Sequence, residues 1–213
     1  MVKTTLDTNI IVSAFVEEDA CVKIVDGFLS KEKSDSDNNF LTPAVLDELT
    51  FLFVRFQSLL HNTKTIMERK KWSFIESYTE LERTIDGGSG GSLANAFGNL
   101  ILFVEKSEAR GLTIQTIIDM LKQKVARWYR LDIQVSPSFD TVRARGTEVD
   151  EIKKDIVSKK INKKGDALIL AQLILFNRIT MNDIQLYTKN TDDFNSLLDA
   201  WKELCPFISV VSP

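Results

Sequence analysis

Five short strand-like runs, at about residues 3 to 6, 39 to 42, 132 to 135, 184 to 188 and 207 to 211, are separated by helix-forming stretches along this 213-residue chain. That alternation is the strongest constraint on its fold. A strand, a helix and a further strand in one sheet make a crossover, and crossover connections leave their strands parallel. Parallel strands need cover on both faces, so the pattern predicts an α/β protein with three layers, α/β/α, around a mainly parallel sheet. Sites in such sheets form outside the carboxyl ends of the strands. The residues directly after each run are therefore the first place to look for chemistry.

The middle of the chain carries more helix than one crossover needs. Thr42 and Pro43 read as a helix N-cap followed by a first-turn proline. From about residue 62 to residue 130, long charged and aromatic side chains recur at helical spacing, among them Trp72, Phe74, Tyr78 and Leu81. This segment reads as a helical insertion or arm within a single domain spanning residues 1 to 213, split by "DGGSGGS" at residues 86 to 92. The glycine-rich piece lacks the Lys-Ser/Thr ending of a phosphate-binding P-loop and reads as a flexible loop. No internal repeat and no linker divides the chain.

Composition narrows the classes of function. A hydrophobic fraction of 44% suits a packed globular core, and no run reaches the roughly 18 apolar residues of a membrane span. Lys3, Thr4 and Asp7 interrupt any apolar core of a signal peptide, so the expectation is a cytoplasmic protein with no membrane partner. Cys21 and Cys205 lie far apart with no metal spacing, and His61 is the sole histidine, which removes zinc clusters and Ser-His-Asp triads. Net charge is −3, yet residues 143 to 164 hold eight Lys or Arg against four Asp or Glu. Such a run either forms a solvated helical face or meets phosphates.

Four acidic positions stand where this architecture would end a strand or begin a helix. Asp7 follows the first run, in "LDTNIIVSAF". Glu48, in "TPAVLDELTFLF", has Ala44, Val45, Phe51 and Leu52 as its helical neighbours and so reads as part of a core-facing stripe. Asp166 opens the most apolar helix, "KKGDALILAQLILF", and Asn190, Asp192 and Asp193 follow a strand in "LYTKNTDDF". Taken singly, Asp7, Asp166 and Asp193 could be helix caps, and Glu48 could pair with a rim lysine. Taken together they place carboxyl groups at one edge of the sheet, an arrangement that a divalent cation makes tolerable. Oxygen ligands without His or Cys select Mg²⁺ or Mn²⁺.

"LDTNII", a glutamate in the helix after the second strand, "GDALILA" and "TKNTDDF" together resemble the PIN domain, the metal-dependent nucleases that include VapC-like toxins. The likeness covers residues 1 to 60 and about 132 to 213. It implies a PIN-like fold and a Mg²⁺- or Mn²⁺-dependent endoribonuclease, with Asp7, Glu48 and Asp166 as metal-site carboxylates. Thr8 and Asn9 would orient the site by hydrogen bonding. Asp193, or Asn190 in place of the family's variable fourth acid, would position a metal or the attacking water. Lys153, Lys154, Lys159, Lys160, Lys163 and Lys164 are candidates for contacts to an RNA backbone, with Trp72 or Trp128 as a base-stacking or, alternatively, a core residue. Candidate partners on this reading are an RNA substrate, an antitoxin protein and a second copy of the chain. Residues 62 to 130 exceed what a compact VapC-like toxin carries there.

Two rivals follow from the same residues. An aspartyl-nucleophile phosphohydrolase wants a second aspartate two residues after the first, where this chain has Asn9, and a further acid after "GD", where Ala167 to Ala171 supply none. A non-catalytic PIN-like platform for RNA or protein would use the fold without the metal chemistry.

Overall fold

A computed structural model of the chain describes residues 2–15, 19–30, 39–85, 92–135, 145–158, 164–199 and 207–213. Strands β1 (Val2–Leu6), β2 (Asn39–Phe40), β3 (Asp183–Tyr187) and β4 (Ile208–Val211) form one sheet in the order β2-β1-β3-β4, with every neighbouring pair parallel. The expected strand at 132 to 135 is instead the last turn of a helix, Ile114–Val135. Its apolar letters continue a helical spacing from Ile114, Ile117, Ile118 and Leu121 through Val125, Trp128, Leu131 and Val135. A run of four residues is too short for its period to reveal which element it belongs to. The second run is also shorter than its letters suggest, because Leu41 and Thr42 already lead into a helix.

Register sorts the sheet into two unlike faces. Thr5, Phe40, Ile184, Leu186 and Ile208 are paired across the strands and buried. The alternate positions Val2, Thr4, Gln185, Tyr187 and Ser209 are exposed or half-buried, and on this side Leu6 and Asn39 are buried. The apolar face contributes to a core that also takes in the stacked rings of Phe40 and Phe176, 4.4 Å apart.

The helices in chain order are α1 (Thr8–Phe15), α2 (Asp19–Ser30), α3 (Pro43–Lys70), α4 (Phe74–Ile85), α5 (Ser92–Ala109), α6 (Ile114–Val135), α7 (Gly146–Ser158), α8 (Lys164–Thr180) and α9 (Thr191–Asp199). Helix α8 is apolar all round and buries Ala167, Ile169, Leu170, Ala171, Leu173, Ile174, Leu175 and Phe176, as a central helix must. Helix α3 runs through residue 62 without a break and stops where Lys71 turns left-handed, at φ 58°, returning its N–H to the Met67 carbonyl. Phe74, Tyr78, Ile101, Val104, Ile117, Ile118 and Leu121 from α4, α5 and α6 belong to the same hydrophobic cluster as the sheet. Residues 62 to 130 thus supply part of the common core. The glycine-rich residues 86–91 and Cys205 lie outside the described residues, and Cys21 is buried. Among the described residues no helix is long and apolar enough to cross a membrane.

Candidate functional site

The chain leaves β1 toward β2 on one side and β3 toward β4 on the other, so the order reverses between β1 and β3. A crevice opens at the carboxyl ends of two such strands. Asp7 is the first residue past β1 and Thr188 the first past β3. Pairing of Leu6 with Tyr187 sets them side by side, and the Asp7 N–H donates to the Tyr187 carbonyl at 2.9 Å. The Thr188 hydroxyl donates to Asp7 Oδ2 at 2.6 Å. Its oxygen meanwhile accepts from Asn9 Nδ2 at 3.2 Å and from the Asn190 N–H at 3.0 Å. With both lone pairs taken, the hydroxyl proton has one direction left, toward the carboxylate.

Asp7 also accepts the Thr8 N–H at Oδ1, 2.7 Å away. It stands at the start of α1, and its carbonyl takes the Ile10 N–H, yet its side chain serves the first helical amide instead of the second or third that an ordinary cap serves. Asp166 and Asp193 are third residues of α8 and α9, inside the first turn. The residue before α9 is Asn190, whose carbonyl accepts from Phe194. Asp7 thus stands at the cap position of α1 with its carboxylate turned to Thr8 and Thr188, and Asp166 and Asp193 stand in the first turns of their helices.

Glu48 reaches the crevice from α3, whose start is tightly specified. Thr42 accepts the Val45 N–H at 3.3 Å, and the Ala44 N–H goes to Gln172 Oε1 of α8 at 2.9 Å, so the proline-led first turn has its amides satisfied. One turn on, Glu48 Oε2 accepts from the Thr8 hydroxyl at 2.7 Å. The buried stripe of α3 runs through Val45, Leu49, Phe53 and Phe56. Glu48 lies beside that stripe, not in it, and Phe51 is 56% exposed under the Arg55 guanidinium.

Asp7, Thr8, Asn9, Ser13, Glu48, Asp166, Lys189 and Asn190 line one cleft of about 400 Å³, with Val12 and Leu52 as its apolar wall. Asp193 is not among the lining residues. Asp7 is raised to about 6, first by burial and then by the neighbouring charges of Asp166 and Glu48, against the lowering effect of the Thr188 and Thr8 hydrogen bonds. Asp7 thus feels the charges of both other carboxyl groups, and besides Lys189 the polar groups of the lining are carboxylates, hydroxyls and amides without His or Cys, the chemistry that a hard divalent cation selects. Among the described residues no three His, Cys, Asp or Glu side chains are gathered closely enough to hold a metal ion.

Four residues that matter here were not marked by the sequence. Thr188, Gln172, Ser13 and Lys189 orient or line the site through contacts at 128 to 181 residues of separation, which no local pattern encodes. The polar letters of Ser13 within "IIVSAF" and Gln172 within "LILAQLILF" were the available signal. Of the basic run, Lys153 and Lys154 lie on α7, half-buried and exposed respectively. Lys159, Lys160 and Lys163 lie outside the described residues, as do the side chains of Lys164 and Trp128. Trp72 lies at the surface with the Lys70 ammonium 4.0 Å from its ring centre. Compared with protein-family models, with characterised proteins and with solved structures, the chain shows no match in any of the three.

Proposed function

We propose that this chain is a Mg²⁺- or Mn²⁺-dependent endoribonuclease built on a PIN-like three-layer α/β/α domain. The observation that carries the reading is the convergence of Asp7, Glu48 and Asp166, from three segments far apart in the chain, on one cleft at the switch point of a parallel sheet. The resemblance in "LDTNII", "GDALILA" and "TKNTDDF" supports the choice of RNA phosphodiesters. The basic run from residue 143 to residue 164 supports it too, since its last residue opens α8, the helix that carries Asp166 into the cleft.

Asp7, Glu48 and Asp166 would supply carboxylate oxygens to the cation, and since they stand too far apart to hold it as they are, its binding would have to draw them together. When bound, such an ion polarises a phosphoryl oxygen and lowers the pKa of water. The chain's own groups do the rest. Thr188 and the Thr8 N–H fix the Asp7 carboxylate and partly offset the burial that favours its protonated form, and the Thr8 hydroxyl fixes the orientation of Glu48. Asn190 offers an amide oxygen at the cleft to orient the attacking water without adding charge.

Incubation with a mixed pool of structured RNAs, with Mn²⁺ or with chelator, tests the reading. Cleavage should require the cation and vanish in Asp7→Asn, and calorimetry should show Mn²⁺ binding that the same substitution abolishes. A parent protein that binds no Mn²⁺ and cuts no RNA would return the chain to the platform alternative.

A further inference from the structure

We infer that the cavity between α2 and the more polar face of the sheet is a second binding site, one that takes a nucleobase by its hydrogen-bonding edge. The cavity holds about 260 Å³, just under the ~300–1,000 Å³ of sites for drug-sized ligands, so it suits a single heterocycle. Its floor is a polar row. Thr4 stands beside Asn39 on β2 and beside Gln185 on β3, and all three line the cavity. Neighbouring strands lie about 4.8 Å apart, so the three residues form a line of roughly 10 Å across the sheet. A parallel sheet covered on both faces calls for apolar residues at such central positions, as Phe40, Ile184 and Leu186 supply on the other face. The departure from that rule marks a face selected for more than packing.

The amides of Asn39 and Gln185 each present donors beside an acceptor, the pattern found along the edge of a base, and the Thr4 hydroxyl serves as either. Asn39 is 5% exposed, and its Nδ2 donates to the Phe28 carbonyl at 2.9 Å, which fixes the amide's orientation. Its enclosed Oδ1 has no donor. Such an acceptor is costly, and a ligand N–H brought into the seam between Phe28 and β2 would relieve the cost. The rings of Phe28 and Tyr187, with Ile24 and Leu6, line the same cavity and supply surface for the flat faces of a heterocycle. Gly27 makes room for it. Inside α2 a glycine weakens the helix, yet a Cβ at this position would meet no atom within 4 Å, so the cavity keeps space that another residue would take. Among the described lining residues there is no carboxylate, and none of them lines the cleft of Asp7, so the inference does not depend on the nuclease reading.

Calorimetry and thermal melts of the full chain with adenosine, guanosine, cytidine and uridine, uncharged probes that need no metal, test this. At least one nucleoside should bind and raise the melting temperature, about tenfold or more tighter than the weakest of the four, as reading of the base edge requires. Valine suits a strand, so Thr4→Val and Gln185→Val should fold, and each should weaken the preferred nucleoside about five- to tenfold. Asn39 is kept in both, because it also ties β2 to α2. Gly27→Leu should abolish binding while raising the melting temperature of the free chain, since leucine is the better helix former. Asp166→Ala should bind the nucleoside as its parent does. Binding of none of the four overturns the assignment and leaves the cavity to water. Equal affinity for all four does so too, as that would be stacking without edge reading. Unchanged affinity in both Thr4→Val and Gln185→Val overturns it, and so does loss of binding in Asp166→Ala, which would move the nucleoside to the carboxylate cleft.

Discussion

The cleft edge of the sheet and the helical half, α3 to α6, bury their residues on opposite terms. In the helical half the burial is apolar: Phe56, Phe74, Ile117, Ile118 and Leu121 are each almost wholly enclosed. At the cleft edge Asp7 is 4% exposed, and Thr8, Ser13 and Thr188 are equally hidden, so the volume is filled by groups that need partners. An apolar core is stabilised by the area removed from water, whereas a buried carboxylate is tolerated only because specific donors meet it. One region should therefore respond to mutation in stability and the other in chemistry.

The largest effect should come from the cleft. Asp166→Ala is expected to abolish RNA cleavage while leaving the melting temperature in metal-free buffer unchanged or higher, because one of three mutually repelling carboxylates is gone. Ile118→Ala should do the reverse, costing about 2–5 kcal/mol in denaturant unfolding with cleavage per folded molecule unaltered. Variants that both lost stability and kept activity would erase the contrast and remove the case for a metal site.

A pH series sharpens it further. Asp7 holds its proton to about 6 in the folded chain, above its ordinary value of 3.8, so folding favours the protonated form. The stability that this contributes is complete below the unfolded value and is lost as pH rises from there through about 6. Above that, the ionised group costs on the order of 3 kcal/mol. Asp7→Asn should accordingly be more stable than the parent at pH 7.5, with the gain fading toward pH 4; a gain that does not change with pH would mean Asp7 is not the titrating group. Mn²⁺ affinity of the parent should fall below about pH 6 as the same carboxyl takes up its proton.

Smaller effects separate the scaffold from the site. Gln172→Ala leaves the Ala44 N–H without its partner and should cost about 1–3 kcal/mol. Because that bond ties the helix carrying Glu48 to the helix carrying Asp166, Mn²⁺ affinity should drop as well, measurable by calorimetry on the folded variant. Thr42→Ala removes only the cap, about 1 kcal/mol, and should leave Mn²⁺ affinity intact.

The alternation of elements in the sequence was enough to expect a parallel α/β sheet, and Thr42 with Pro43 marked the start of α3 correctly because capping is chemistry local to a few residues. The segment 132 to 135 misled because four apolar letters at the end of a long helix look like a buried strand when cut from their period. Asp7, Glu48 and Asp166 were visible as charges in apolar surroundings. Glu48 was assigned to the wrong stripe of its helix, since Phe51, an apolar residue by its letter, is satisfied at the surface by Arg55. Thr188 could not be read at all, and Gln172 showed only as a polar letter in an apolar run, since the importance of both lies in the partner and not in the residue.

The bond from Thr188 to Asp7 spans 181 positions and that from Gln172 to Ala44 spans 128. A ribosome releases the chain from its amino end at roughly 5–20 residues per second, so Asp7 and Ala44 wait on the order of ten seconds or more for their partners to emerge. Loops of that length close late, after local helices have formed. The cleft is thus among the last features of the molecule to exist, and a chain interrupted before residue 188 carries the carboxylates of a site that it has no means of assembling.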